Sequence, residues 1–183
     1  MMKFTKRAGL AGVSLSAVAV LATTAALATS AASAAPSHPA IGACHSSSME
    51  VWTGEPGDGF AGGVAWEVEI SNIGHHACTL FGYPGVSELN GNGHQVGLPA
   101  SHSGPKFLVT IPVAGTAHFL LTVHDPTIVC PASTPVHGVE LRVFAPGQFN
   151  AERTPFSLAL CPHRVNMEVD AVHAGTGIPG FSG

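Results

Sequence analysis

His75-His76-Ala77-Cys78 sets two imidazoles beside a sulfur. These are zinc or copper ligands when a thiolate and imidazoles from several segments converge. On an extended strand, successive side chains point to opposite faces. His76 and Cys78 would share one face, and His75 would take the other. A disulfide-bonded sulfur offers no thiolate. The competing reading is therefore a stapling Cys78 flanked by two solvated histidines, and it is the one favoured. His118 and His124 also fall on one presumed outer strand face. They stand six residues apart, ~20 Å along a strand, and cannot share an ion within it. His75, His76, His118 and His124 are thus the metal candidates only if loops bring separate segments together.

Other chemistry is sparse. The nucleophile elbow G-x-S-x-G is absent. So is the acidic pattern of a calcium loop. Glu67 and Glu69 share one strand face at a spacing of about 7 Å, which a glycosidase could use. That use needs a buried pocket to raise one of the two pKa values, and the expectation is a solvated pair. No cofactor and no catalytic set are implied, so the chain reads as non-enzymatic. Trp52 and Tyr83 carry amphipathic rings suited to ligand contact. Trp52 has the opposite strand parity from Val51, which leaves room for an exposed ring, but burial under a loop is the favoured reading. Trp66 lies on an inward face and is expected in the core.

The elements that would position these groups follow a leader. Lys3, Lys6 and Arg7 precede an uncharged apolar stretch from Ala8 to about Ala28, ending in small residues. Ala32-Ser33-Ala34 suits signal peptidase, with the cut before Ala35 or one residue on. The stretch is rich in Ala, Thr and Ser, weakly apolar for a retained span. Residues 1–35 are read as a secretory signal, 36–43 as a flexible segment, 44–173 as one domain and 174–183 as a flexible tail. The expected location is extracellular. The alternative is an envelope lipoprotein, with Ile41-Gly42-Ala43-Cys44 as a permissive lipobox carrying lipid on Cys44. Pro36, Ser37, His38 and Pro39 separate that box from the apolar stretch, and lipidation would leave an odd cysteine count.

Three of the seven basic residues belong to the leader. Lys106, Arg142, Arg153 and Arg164 remain against eleven acids, a formal charge of −7. That balance argues against nucleic acid as a partner and against a polybasic membrane contact. No membrane span is expected after the leader is removed. The remaining partner class is an unidentified extracellular or cell-envelope ligand. Eleven histidines make the surface charge sensitive to pH just below neutrality.

Cys44, Cys78, Cys130 and Cys161 all follow the leader. Outside the cytosol an even set reads as two disulfides. Three pairings are open; sequence order favours Cys44–Cys78 with Cys130–Cys161. Period-two alternation recurs at Val64 to Ile70, Ala117 to Val123, Val139 to Val143, Phe156 to Leu160 and Val165 to Ala171. Weaker strands are expected at Glu50 to Thr53, Thr79 to Phe81, Val86 to Leu89 and Phe107 to Ile111. Turns are expected at Tyr83-Pro84-Gly85-Val86 (type II) and Asn90-Gly91-Asn92-Gly93. No amphipathic helix stands out. The fold class is all-β, an antiparallel immunoglobulin-like β-sandwich of about eight or nine strands with two disulfides. A jelly roll or small barrel is the alternative.

In order along the chain come Cys44, the stretch Ala61-Gly62-Gly63-Val64-Ala65-Trp66, the segment CTLFGYPGVSEL from Cys78, Leu98-Pro99-Ala100, IPVAGTAHFLLTV from Ile111, Cys130, LRVFAPGQ and Cys161. This order resembles the actinobacterial secreted domain of unknown function numbered 4232. The resemblance implies an exported, disulfide-bearing β-sandwich, often attached to the envelope, and it assigns no catalytic or binding residues. The family's usual glycine pair in the later turn is Ala114-Gly115 here.

Overall fold

The protein is described by a computed structural model over residues 40–177. The expected leader, the start of the 36–43 segment and residues 178–183 of the expected tail lie outside the described residues.

A 3-10 turn at Ser46–Ser48 leads into β1 (Met49–Phe60) and β2 (Gly63–Asn72). There follow β3 (Cys78–Phe81), β4 (Gly85–Leu89), β5 (Gln95–Val96), β6 (Ser101–His102), β7 (Leu108–Ile111) and β8 (Thr116–His124). A single helical turn, α1 (Pro126–Val129), precedes β9 (Val136–His137), β10 (Glu140–Phe144) and β11 (Glu152–Pro155). The last strands are β12 (Ala159–Leu160), β13 (Met167–Val169) and β14 (His173–Ala174).

The larger sheet runs β1-β2-β8-β13-β6, with β14 also on β8; the second runs β11-β10-β4-β5. β9 pairs with β12, and β3 with β7. All ladders are antiparallel except β6 on β13. The register explains why the alternating stretches pair. Val64, Trp66, Val68 and Ile70 stand opposite Val123, Leu121, Phe119 and Ala117. Apolar faces therefore coincide along the β2–β8 ladder, and a one-residue slip of either strand would turn its apolar set to the outer face. Val68, Ile70, Phe119 and Leu121 join Val86, Leu141 and Val143 of the second sheet in one buried cluster.

The chain is nearly all β with two disulfides, as expected, but the strand list differs. Among the described residues there are fourteen strands, five of them only two residues long. The Phe156 to Leu160 alternation is paired in a ladder only at β12; before it, isolated backbone bonds join Phe156 N–H to Val139 O and Gly138 N–H to Leu158 O. The glycine with a positive φ near Pro84 is Gly82, at 112°, not Gly85. Gly85 instead opens β4 opposite Phe144. The reversal at Asn90 is as expected: its carbonyl accepts from Gly93 N (2.8 Å), and its Oδ1 accepts from the N–H groups of Asn92 and His94.

Cys44 is bonded to Cys78 and Cys130 to Cys161. A lipid on Cys44 is thereby corrected, since its sulfur is already committed. Buried amides brace the same regions. Asn72 donates from Nδ2 to the carbonyls of His76, Ile111 and Pro112 and accepts from Gly74 N–H. Asn166 ties His124 and Ala159 to Cys161. Among the described residues no helix is long and apolar enough to cross a membrane.

Candidate functional site

The sequence-predicted residues are dispersed. His75 and His76 are exposed in the loop after β2, whose path is fixed by Asn72. His118 and His124 sit six residues apart on β8. Among the described residues no three His, Cys, Asp or Glu side chains gather to hold a metal ion, so the copper or zinc alternative finds no support.

Tyr83 is engaged within the protein. Its ring stacks on His102 at 4.8 Å, Lys106 Nζ lies 5.1 Å from its centre, and its hydroxyl donates to the Gly104 carbonyl. It anchors the 101–106 loop. That loop carries the S-x-x-K spacing in Ser103 to Lys106. It has no helix to aim the lysine at the serine, and the ammonium rests against Tyr83. Trp52 is 42% exposed, and its Nε1 donates to Ser71 Oγ at 3.0 Å.

The outer face of the larger sheet differs from the expectation. Trp52, Glu69, His118 and His173 form one transverse row across β1, β2, β8 and β14. Glu69 and His118 are buried. Beyond β14 the chain turns back: Gly175 O accepts from His118 Nδ1 at 2.8 Å, and Gly177 comes to lie near the Glu67 carboxylate. His173 stacks on His118 at 5.6 Å and pairs with Asp170 at 3.2 Å. Burial, then the hydrogen bond and charge of Glu67, push the Glu69 carboxyl up to about 7. The Glu67–Glu69 pair is thus not a solvated one.

The concave feature best suited to a ligand lies at one end of the larger sheet, where β1 turns into β2 and β8 runs into α1. It is a cleft of about 410 Å³. Phe60, Trp66, Ile128 and Leu158 form apolar walls, and His124 and Asp125 stand at its edge. Local sequence builds it. The Gly62-Gly63 turn is tight enough that a Cβ at Gly63 would collide with Phe60 and with the Val123 carbonyl. Asp125 caps α1, accepting from Thr127 N (2.8 Å) and Oγ1 (2.7 Å), and Pro126 occupies the first helical turn. Those bonds hold the Asp125 carboxyl below the usual carboxylate range. His124 presents its ring edge-to-face to Phe60 at 5.7 Å, and Trp66 meets Phe156 likewise at 4.8 Å. Phe60 and Ile128 remain 43% and 64% exposed at the mouth. Such walls gain by covering an apolar group, and the acid at the rim is already spent on the helix cap.

Motif reading missed this cleft. The sequence did carry a signal for part of it: Asp125-Pro126-Thr127 is a helix-start signature that would have placed Ile128 on a short helical turn. It also missed Glu88, a lone acid in β4. Glu88 is fully buried on the same face as Val86, and burial pushes its carboxyl up to about 8.

Comparison with curated proteins and with solved structures finds no match. A family model described as a domain of unknown function (DUF4232) matches residues 44–176, from the first cysteine to just past β14. With most of its length inside that match, the chain belongs to the DUF4232 family.

Proposed function

We propose that the protein is an exported, non-enzymatic binding module of the cell exterior or envelope, and that the Phe60–Trp66–Ile128 cleft is its ligand face. The observation that carries this reading is the apolar-walled cleft with two hydrophobic side chains left exposed at its mouth. Its walls suit an uncharged aliphatic or aromatic group. Two disulfides favour an oxidising compartment, in line with the leader-like start. The sheets β1-β2-β8 and β4-β10 are read as the two layers of an immunoglobulin-like sandwich that presents this cleft at one end.

The test uses Trp66. Trp52→Phe leaves it as the sole tryptophan. N-phenyl-1-naphthylamine, an uncharged apolar fluorophore, should bind saturably and quench Trp66. Adding Ile128→Asp should weaken that binding by about tenfold or more. Equal affinity in both proteins would reject the cleft. Turnover in a hydrolase panel, lost on changing His124, would overturn the non-enzymatic part.

A further inference from the structure

Glu88 stands on the core-facing side of β4, fully buried, and neither carboxyl oxygen has a hydrogen-bond partner. Its neighbours across the ladder, Leu141 on β10 and Val96 on β5, are apolar. The charged group that acts on it is another acid, Glu140, which adds repulsion. Among the described residues no lysine or arginine forms an ion pair with it. On the β9 and β12 strands themselves the titratable residue is His137, whose side chain is exposed. The Leu158 backbone draws near and opposes the shift, without forming a hydrogen bond of normal geometry. A bare carboxylate in such surroundings is costly, so the group is kept as the neutral acid.

The ribbon of β9 and β12 lies over this carboxyl. Gly138 presses its backbone so closely that a Cβ there would collide with Glu88 Cγ. Gly138 N–H donates to Leu158 O (3.1 Å), Val139 N–H to Leu89 O (2.8 Å) and Phe156 N–H to Val139 O (3.1 Å). On its other side the same ribbon reaches the cleft. Phe156 stands edge-on to Trp66, and Leu158 forms part of the wall.

We propose that Glu88 is a proton switch beneath the wall of the cleft. With the carboxyl neutral, the ribbon closes on β4. When the proton leaves to solvent, the carboxylate must reach water, and it does so by lifting Gly138 and Leu158. That movement draws Phe156 away from Trp66. The switch is a property of the ribbon and stands whether or not the cleft binds an apolar ligand.

The experiment follows the Trp52→Phe protein, without any ligand, from pH 6 to pH 9.5. Trp66 emission should shift to the red. The Gly138 and Val139 amides should lose about tenfold or more of their hydrogen-exchange protection, after correction for the intrinsic pH dependence of exchange. Both changes should be absent when Glu88→Gln is added, since that side chain cannot ionise. Glu88→Met serves as the second neutral variant should the amide fail to fold. A carbon-13 titration of the Glu88 carboxyl should show a midpoint well above the ordinary 4.5. The same transition in either neutral variant, no transition in the parent, or a carboxyl midpoint near 4.5 would each overturn the switch.

Discussion

Ala114 holds a φ of 56°, the one non-glycine residue with a positive φ among the described residues. Its N–H donates to Asn72 O, and Gly115 N–H donates to Pro112 O. The turn therefore cannot relax without breaking the bracket around Asn72. A Cβ in the left-handed region costs roughly 1 kcal/mol, which glycine avoids. Ala114→Gly should therefore raise stability by about 0.5–1 kcal/mol in urea denaturation, even though glycine loosens the unfolded chain. Elsewhere, side-chain parity left room for an exposed Trp52, and at 42% exposure the ring departs from the favoured reading of burial under a loop. Parity failed for Glu69 and His118, both buried; over His118 the cover arrives from Gly175, 57 positions beyond it. Parity assigns a side chain to a face of its own strand, and it carries no information on which distant segment will lie over that face.

Strand segments were most legible where two alternating stretches were long enough to pair along their whole length. β2 and β8 met that condition, with a ladder of nine residue pairs, four of them matched on the apolar face. The short ribbons did not. β9 and β12 pair over two residues each, and their position depends on Gly138 resting against Glu88 and on Phe156 meeting Trp66. No local pattern encodes such contacts. The cleft shares this origin: its walls come from β1, β2, α1 and the stretch before β12, elements distant in sequence. The disulfides lay between these cases, with an order that favoured one of three pairings. Cys44–Cys78 closes 34 residues and ties the chain start to β3, where Cys44 N–H also donates to Thr79 O. Replacing both cysteines with alanine should cost about 3–4 kcal/mol by the chain-entropy estimate. Chemical denaturation should show a lower midpoint with the spectrum still that of a β protein.

At the scale of the whole molecule, the folded chain keeps two protons that the unfolded chain would release at ordinary carboxylate pH. Glu69 titrates near 7 and Glu88 near 8, against an ordinary 4.5. Both pKa values are raised, so the native state binds more protons than the unfolded state between those limits. The associated stability is fully present below about pH 4.5 and is lost as pH rises through 7 and 8. For Glu88 the loss is on the order of a few kcal/mol, a large share of the stability of one small domain. A general repulsion among eleven acids acts in the same direction, because histidines lose any positive charge as pH rises. The two contributions separate by substitution. In urea denaturation at pH 5.5 and pH 9 the parent should lose stability strongly. The double variant Glu69→Gln/Glu88→Gln should keep only the shallow slope of the surface charge, and added salt should flatten that remainder but not the parent's steeper fall. Equal slopes for parent and double variant would mean that the buried carboxyls reach water in the native state, and that the covers over β4 and β8 are open at neutral pH.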